Sequence, residues 1–381
     1  MADAKKPTIY FDHAATTLPY PEVGPLFCEV ISRFYANPSS NHALGNEASR
    51  YLNGARKEIL DSFKMKNHQV IFTSGATESN NLALKGYMNR YKNRGKHLII
   101  SAIEHPSIMN AANALIRDGF DVTILPVGQN GKISINGLKS AIRKDTTLVS
   151  IMAVNNEVGI VQPLKDIIDV VKAYPNVALH VDAVQAVGKI ELPYNDIDMV
   201  TVSMHKIGGN KGSGLLLKRN NIELIPLNDG GGHEYGYRSG TNDLANAVVD
   251  NFVIKKALKN IKENYATMYK LVKPLYDYLF TKQDEIVVNS YIINPYIVNF
   301  SFVHKKASVF AEYFSNNGIM VSTHSACSSK LDNGSPTLSA MGLNTVLSKN
   351  SIRLSFALSN TKEEIDRFIA LLDYGLEKIR G

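Results

Sequence analysis

The residue in this sequence with the clearest chemical potential is a lysine that follows a predicted strand. Lys206 comes shortly after the apolar segment 199–202 and precedes the glycine-rich run 208–214. A lysine amine among polar residues and glycines at the end of a strand is a candidate for a covalent link to a carbonyl compound. An arbitrary lysine is far more often a solvated side chain, so this interpretation needs support from other residues.

A second pattern predicts a phosphate site. The apolar segment 70–72 is followed by a turn in which Gly75, Ala76 and Thr77 open a predicted helix. The first turn of a helix offers free backbone N–H groups and the positive end of the helix dipole, and both attract phosphate. An ordinary Ser or Thr helix cap is the alternative. No G-x-G-x-x-G motif follows a strand and no G-x-x-x-x-G-K-[ST] motif is present, so neither dinucleotide nor P-loop binding is predicted.

More polar residues follow other predicted strands, namely His105, Asn156, Asp182 and Gln185. His105 could be catalytic, could stack on a planar ring or could lie in a solvated loop, and Asp182 could be a helix cap. Pyridoxal phosphate requires a phosphate cradle, a carboxylate that keeps its pyridine nitrogen protonated and a lysine that carries it. The phosphate turn, His105, Asp182 and Lys206 together match these requirements.

The elements that must position these residues alternate between helices and short apolar strands from about residue 45 to 220. The predicted strands are 70–72, 98–100, 122–125, 148–152, 177–181, 199–202 and 214–217. Such alternation predicts an α/β fold with a mostly parallel seven-stranded sheet sandwiched by helices. Ligands of parallel sheets bind beyond the carboxyl ends of the strands, which is where the polar residues lie.

The last third of the chain predicts a smaller α+β domain. A long helical region begins near Thr241 and is expected to break at Pro274. Strands are predicted around 286–288 and 297–300. Thr361 and Glu364 form a capping box at the start of the final helix.

Composition narrows the class of protein. The 381 residues are enough for two domains, and 44% hydrophobic residues are enough for a large core. The net charge of +7 is scattered along the chain, so no direct nucleic-acid binding is expected. No apolar run could span a bilayer, and the charged start MADAKK is unlike a secretion signal, so we expect a cytoplasmic protein without membrane contact. Two cysteines cannot form a disulfide scaffold or a four-cysteine zinc site, and we predict no metal site.

A set of motifs in fixed order extends along nearly the whole chain. They are YFDHAATT (10–17), NPSS (37–40), FTSGATESNN (72–81), EH (104–105), VNNEVG (154–159), HVDAVQ (180–185), SMHK (203–206), GGGHEYGYRSGT (230–241), SACSS (325–329) and IRLS (352–355). Together they resemble the cysteine desulfurases of iron–sulfur cluster assembly. These are class V pyridoxal-phosphate enzymes of fold type I.

The resemblance implies roles for residues around the cofactor ring. Lys206 would attach pyridoxal phosphate and later move the α-proton of the substrate. His105 would stack on the pyridine ring, and Asp182 would pair with its N–H. Gln185 and Asn156 would bond the ring oxygen or the edge of the substrate.

The resemblance also implies a phosphate site, a substrate clamp and a homodimer. The phosphate ligands would be the Ala76 backbone, Thr77, Ser203 and His205, together with Thr241 of the neighbouring subunit. Arg353 would hold the substrate carboxylate in the bidentate way that a guanidinium allows. The large cofactor domain would span 18–255, and the small domain would comprise 1–17 and 256–381.

The two cysteines occur in different contexts. Cys28 lies in the apolar helical segment LFCEVI (26–31), which predicts a core residue. Cys327 lies in the polar stretch STHSACSSKLDNG (322–334). The resemblance assigns Cys327 the attack on the sulfur of L-cysteine, which leaves L-alanine and a persulfide. The sulfur would pass to a separate acceptor, either an iron–sulfur scaffold or a tRNA-thiolation enzyme.

The sequence departs from the common family pattern at a few positions, namely Gly208, Asn210, Tyr235 and His324. Tyr235 stands where arginine is common, which puts acceptor choice or loop docking in question. Two alternatives to a cysteine desulfurase stay open. One is a selenocysteine lyase or another class V lyase or aminotransferase, and the other is a catalytically degenerate scaffold or binding partner.

Overall fold

The computed structural model describes residues 8–323 and 334–379. The strands are β1 (Ile9–Tyr10), β2 (His68–Thr73), β3 (His97–Ser101), β4 (Asp121–Leu125), β5 (Thr146–Ser150), β6 (Ala178–Asp182), β7 (Met199–Ser203), β8 (Gly214–Arg219), β9 (Ile286–Val288), β10 (Ile297–Phe302), β11 (Ile319–Met320) and β12 (Ser351–Ser355). The helices are α1 (Val23–Arg33), α2 (Ala43–Ser62), α3 (Ala76–Asn81), α4 (Tyr87–Tyr91), α5 (Pro106–Arg117), α6 (Ile135–Ala141), α7 (Leu164–Lys172), α8 (Leu244–Leu258), α9 (Ile261–Phe280), α10 (Ala307–Asn316), α11 (Pro336–Ala340), α12 (Thr345–Lys349) and α13 (Lys362–Lys378). A π-helical turn, Leu82–Gly86, joins α3 to α4.

The expected seven-stranded sheet is confirmed. Its strand order is β2-β8-β7-β6-β5-β3-β4. Strands β4, β3, β5, β6 and β7 pair in parallel, and β8 is antiparallel to both β7 and β2. The strands β2, β3, β5, β6 and β7 therefore end at one edge of the sheet, and the polar residues that follow them meet there.

Both faces of this sheet are covered, as the near-continuous apolar strands require. In β3, Ile99 belongs to one hydrophobic cluster while Leu98 and Ile100 belong to another. The same alternation occurs in β8, where Leu216 faces away from Leu215 and its cluster. Because successive side chains point to opposite faces, the two clusters lie on opposite sides of the sheet.

A further hydrophobic core forms around the antiparallel sheet β12-β10-β9 and the parallel pair β1-β11. Ile9 and Phe11 pack into this core together with side chains of α9, α10 and α13. The N-terminal segment thus shares a core with the last third of the chain. This arrangement supports the division into 18–255 and 1–17 plus 256–381, which stays a prediction. The capping box of Thr361 and Glu364 at the start of α13 is present.

The predicted break at Pro274 is wrong. Helix α9 continues through Pro274, and the helical region is interrupted instead at 259–260, between α8 and α9. A proline inside a helix removes one backbone hydrogen bond and costs about 3 kcal/mol. Burial of the face that includes Val272, Leu275 and Leu279 in the core offsets that cost.

The prediction that Cys28 packs in the core is also wrong, because its side chain is exposed. Helix α1 buries Val23 and Val30, which lie two helical turns apart on one face. Cys28 lies two residues before Val30, about 200° around the helix, and therefore points away from that face. Its apolar neighbour Ile31 is 49% exposed as well.

The described residues contain no helix that combines the length and the apolar composition needed to span a bilayer.

Candidate active site

A cavity of about 580 Å³ lies at the carboxyl ends of the parallel strands. This size is in the range of sites for small molecules and cofactors. Its lining contains the predicted residues Ala76, Thr77, His105, Asn156, Asp182, Gln185, Ser203, His205, Lys206 and Arg353. Residues that are far apart in the sequence meet here because the strand ends share one edge of the sheet.

One end of the cavity has the features of a phosphate cradle. Gly75 precedes α3 with a φ of 145°, a conformation that glycine adopts readily. The first N–H groups of α3, including those of Ala76 and Thr77, have no intrahelical acceptors, and both residues line the cavity. A Cβ on Gly214 would lie 2.6 Å from the Gly75 Cα, so the β8 backbone packs directly beneath this turn.

Substitution Gly214→Ala should therefore weaken cofactor binding. The new methyl group would meet backbone atoms of Gly75, which cannot move away as a flexible side chain could, and the turn would shift from its place at the cavity. We expect the Kd for pyridoxal phosphate, measured by fluorescence titration, to rise at least about tenfold, since small displacements of a binding group are costly. Gly54→Ala in α2 is the matched control, because a Cβ at Gly54 has nothing within 4 Å. Equal affinity of the two variants would contradict this account of the cradle.

Asp182 ends β6 and is 5% exposed. Its Oδ1 accepts a hydrogen bond from the Val184 backbone N–H at 3.0 Å, and its Oδ2 accepts one from Nδ2 of Asn80 at 2.8 Å. These donors satisfy a buried carboxylate without neutralising it. The negative charge of Asp182 is therefore available to a protonated ring nitrogen in the cavity.

His105 precedes α5 and caps it. Its Nδ1 accepts a hydrogen bond from the Ser107 backbone N–H at 3.2 Å and contacts the Ser107 hydroxyl at 2.8 Å. Burial lowers the pKa of His105, and the positive charge of Lys206 lowers it further, although Asp182 and Glu157 act in the opposite direction. The ring is therefore neutral at physiological pH, as stacking on a protonated pyridine ring would favour.

Lys206 lies in the short 3₁₀ turn that follows β7. Its Nζ donates hydrogen bonds to the carbonyl oxygens of Ala14 and Ala15, at 2.7 and 2.6 Å. The N-terminal segment thus holds the amine at the cavity. The neighbouring His205 contacts the Thr16 hydroxyl at 3.1 Å through Nδ1, and burial together with the charges of Lys206 and Lys211 lowers its pKa to about 4.

Gln185 has a partner that sequence reasoning missed. Lys189 donates a hydrogen bond from Nζ to Oε1 of Gln185 at 2.8 Å, and Gln185 donates from Nε2 to the Ala14 carbonyl at 3.0 Å. These contacts fix the orientation of the Gln185 amide, with Oε1 toward Lys189 and Nε2 toward the Ala14 carbonyl. Burial lowers the pKa of Lys189 to about 7, and the charges of Lys206 and Arg353 add to this effect.

Arg353 is in β12 and is 3% exposed. It reaches the cavity from the hydrophobic core that forms around the sheet β12-β10-β9. Its Nη2 pairs with Oδ1 of Asp12 at 2.6 Å, and its Nη1 donates to the Asn156 carbonyl at 3.0 Å. Its Nε has no hydrogen-bond partner within the described residues. A buried guanidinium held in this way is suited to a small carboxylate ligand. Asp12 is a second residue whose role the motifs did not reveal.

Cys327 and His324 lie outside the described residues, but both flanks of their segment are anchored near the cavity. On one side, the Ser322 backbone pairs with that of Arg353, with N–O distances of 3.1 and 2.7 Å. On the other side, Glu157 accepts hydrogen bonds from Ser335 at 2.6 Å and Thr337 at 3.1 Å. The chain therefore leaves and re-enters the described structure beside the site.

Two further predicted features lie away from the cavity lining. Thr241 is exposed and is absent from the lining of its own chain, so its role toward a neighbouring subunit stays a prediction. Tyr235 has a positive φ of 59°, and the Arg56 guanidinium lies 5.0 Å from its ring centre. Arg56 also forms a buried ion pair with Glu234 at 2.6 Å.

The two departures from the family pattern after Lys206 differ in their explanation. At Gly208, a Cβ would lie 2.8 Å from the Tyr20 ring, which explains a glycine at this position. Nothing in the structure explains Asn210.

The residues around the cavity fit pyridoxal phosphate. A backbone cradle at the helix start, a buried carboxylate, a neutral imidazole and a lysine amine all line one cavity. These are the groups that the phosphate, the ring nitrogen, the ring face and the aldehyde carbon of this cofactor require.

Comparison with known proteins agrees with this fit. The family model described as aminotransferase class-V matches residues 9–368. A "NifS/IcsS protein homolog" of Lactobacillus delbrueckii subsp. bulgaricus is 39% identical over 370 residues, which cover 96% of each chain. A "Cysteine desulfurase IscS" of Dictyoglomus turgidum is 34% identical over 383 residues, which cover 98% of this chain and 96% of the relative.

Similarity in three dimensions extends over the same length. A solved structure described as a "NifS-like protein" superimposes with a TM-score of 0.89 at 32% sequence identity, covering 97% of this chain and 99% of that one. The mostly parallel sheet and the cavity at its carboxyl edge are thus part of a shared fold. The chain belongs to the class-V aminotransferase family of pyridoxal-phosphate enzymes, within its cysteine desulfurase branch.

Proposed function

We propose that this chain is a pyridoxal-phosphate-dependent cysteine desulfurase that converts L-cysteine to L-alanine and holds the sulfur as a persulfide on Cys327. The observation that carries the proposal is the meeting of Lys206, Asp182 and Arg353 in one cavity. A lysine and a buried acid serve the cofactor, and the buried arginine adds a carboxylate site for an amino acid. The backbone of Arg353 pairs with Ser322, shortly before Cys327 in the chain.

The protein groups have separate tasks in this reaction. The cofactor, when bound, supplies the electron sink that labilises bonds at the substrate's Cα and Cβ. Arg353 and Asn156 bind the carboxylate of L-cysteine and orient the amino acid. Lys206 removes the proton from Cα and later returns one, and Asp182 balances positive charge at the ring nitrogen. His105 covers one face of the ring and limits access of water.

The sulfur step can be written as a balanced displacement. The Cys327 thiolate attacks Sγ of the bound cysteine, so an S–S bond forms while the Cβ–Sγ bond breaks. The electron pair of the broken bond remains on the former Cβ, which takes up a proton and becomes the methyl group of L-alanine. The persulfide on Cys327 then carries the sulfur to its acceptor.

Replacement of Cys327 by serine tests this function. We expect Cys327→Ser to bind pyridoxal phosphate normally, with unchanged visible absorbance, and to lose sulfur transfer to an acceptor and L-alanine formation at least about 100-fold, since its only thiol nucleophile at the site is gone. Cys28→Ser is the matched control, because Cys28 is the other cysteine of the chain and is exposed on α1. Wild-type sulfur transfer by Cys327→Ser would sink the persulfide assignment.

The same assay distinguishes the alternative activities. An aminotransferase would consume an α-keto acid and would not need Cys327, whereas a selenocysteine lyase would prefer L-selenocysteine over L-cysteine. A scaffold without activity would be colourless after incubation with pyridoxal phosphate. We expect instead a coloured protein that releases L-alanine from L-cysteine in equal amount to the sulfur transferred.

The proposal includes a cytoplasmic homodimer that passes sulfur to another protein. The exposed position of Thr241, outside its own cavity, supports a role at a neighbouring subunit's phosphate. Exposed apolar residues on α1 and α2, including Ile31 and Leu44, provide surface for such a contact. The acceptor would be an iron–sulfur scaffold or a tRNA-thiolation enzyme. No direct contact with nucleic acid or membrane is part of the proposal.

A further inference from the structure

Asn80 is a fully buried residue of α3 that contacts two of the proposed cofactor-binding groups. Its exposed fraction is 0%, and its Nδ2 donates one hydrogen bond to Oδ2 of Asp182 and another to Oγ of Ser107, both at 2.8 Å. Ser107 in turn contacts Nδ1 of His105. The Asn80 amide therefore links Asp182, which is proposed to pair with the ring nitrogen, to His105, which is proposed to stack on the ring.

The directions of these hydrogen bonds follow from the chemistry of the groups. The Ser107 backbone N–H also donates to Nδ1 of His105, so Nδ1 is an acceptor and the Ser107 hydroxyl must donate to it as well. The hydroxyl oxygen then accepts from Asn80. If the Asn80 amide were turned around, its carbonyl oxygen would face the Asp182 carboxylate, and two acceptors would be in contact. Nδ2 must therefore face Asp182.

The other end of the amide shows which contacts matter. Oδ1 of Asn80 is buried and has no hydrogen-bond partner among the described residues. A buried unsatisfied acceptor is costly and is uncommon in native proteins. The orientation of this side chain is therefore set by its two donated hydrogen bonds alone.

We infer that Asn80 is a positioning residue that couples Asp182 to His105, holding the carboxylate toward the ring nitrogen and keeping the imidazole in the tautomer with its proton on Nε2. This inference rests on the proposed function, since it assigns a task to Asn80 in the same site. Asn80 touches neither substrate nor cofactor in this scheme. It acts on the reaction through Asp182 in one direction and through Ser107 and His105 in the other.

Two substitutions distinguish the effect of Asn80 on Asp182 from its effect on His105. Asn80→Leu has a similar volume and removes both hydrogen bonds of Asn80. Ser107→Ala removes the hydroxyl contact to His105 and the hydrogen bond that this hydroxyl accepts from Asn80, but leaves Asn80 bonded to Asp182. Asn89→Ala is the matched control. Asn89 lies on α4, which continues α3, and the one hydrogen bond that its amide donates among the described residues goes to the Lys85 carbonyl, outside the cavity lining. If Asn80→Leu does not fold, Ser107→Ala still tests the hydrogen-bond connection from Asn80 through Ser107 to His105.

The first readout needs no activity. Nuclear magnetic resonance of the histidine-labelled, cofactor-free full chain reports the tautomer and pKa of His105, assigned by a His105→Gln variant. In the wild type, burial and Lys206 lower this pKa, opposed by Asp182 and Glu157. The hydroxyl donor to Nδ1 is absent in Ser107→Ala and loses its fixed orientation in Asn80→Leu, which leaves the longer contact from the Ser107 backbone N–H. Protonation of Nδ1 becomes easier, so the pKa should rise above the wild-type value in both variants. It should stay at the wild-type value in Asn89→Ala.

The second readout is kinetic. Asn80→Leu should lower kcat for L-alanine formation by about 10- to 100-fold with KM for L-cysteine nearly unchanged, because the acid and the imidazole are misplaced while Arg353 is intact. Ser107→Ala should lower kcat less, since Asp182 keeps its partner. Unchanged His105 titration in both variants, or unchanged kcat in Asn80→Leu, would overturn the inference. An inactive wild type with the expected titration shifts would overturn only the proposed function.

Discussion

Substitution Lys206→Ala is expected to abolish turnover of L-cysteine. Loss of this amine removes both the covalent attachment of the cofactor and the base that moves the α-proton. Proton transfer by a positioned side chain alone contributes about 100- to 10,000-fold, and the covalent attachment of the cofactor is lost as well, so kcat should fall at least about 1,000-fold. The visible absorbance of the attached cofactor should disappear as well. Single-turnover formation of L-alanine, together with an absorbance spectrum, measures both effects.

Two companion variants make this result specific. Lys206→Arg keeps the positive charge and much of the length, but a guanidinium cannot be deprotonated in a protein and should be as inactive as alanine. Lys165→Ala removes an exposed lysine on α7 and should behave as the wild type. Residual turnover in Lys206→Ala above one thousandth of the wild-type rate would show that another group serves as the base.

Substitution Asp182→Asn is expected to lower kcat strongly while the cofactor stays bound. Each carboxylate oxygen of Asp182 accepts a hydrogen bond, one from Val184 and one from Asn80. An asparagine has only one oxygen, so one of these contacts would place two donors against each other, and the negative charge toward the ring nitrogen would be lost. We expect kcat to fall about 100- to 10,000-fold, as for removal of other electrostatic and acid–base groups.

Cofactor affinity provides the internal comparison for Asp182→Asn. The phosphate cradle and Lys206 are untouched, so the Kd for pyridoxal phosphate should change by less than about tenfold, the cost of one hydrogen bond. Asp169→Asn, an exposed position on α7, controls for the loss of one negative charge. A variant Asp182→Asn with wild-type turnover would remove Asp182 from its proposed role.

The part of the site that the sequence predicts is the part that strand ends specify. Asp182 directly follows one predicted apolar strand and Lys206 comes shortly after another, and alternation of strands with helices already requires parallel strands whose ends meet. The fold class and the group of residues at one edge were therefore predictable from local patterns. The seven-stranded sheet has the expected strands, and its reversed strand β8 is compatible with the expectation of a mostly parallel sheet.

Two of the residues that the motifs did not reveal, Asn80 and Asp12, act through partners remote in the chain, whereas Lys189 contacts Gln185 four residues away. Asn80 meets Asp182, and Asp12 meets Arg353, only after the strands and the two cores are assembled. No local pattern distinguishes these residues from an ordinary helix amide or a solvated acid. The errors at Cys28 and Pro274 have a similar origin, because burial of one helix face depends on what packs against it and overrides local propensity.

The two anchors beside Cys327 have a consequence for how this enzyme could change over time. Ser322 pairs with Arg353, and Ser335 with Glu157, so the ends of the intervening segment are held by contacts that the segment itself does not supply. Each doubling of a loop's length costs only about 0.6 kcal/mol of closure entropy. In the proposed function, insertions or exchanges between the anchors would therefore alter which acceptor receives the sulfur while the cavity keeps its geometry.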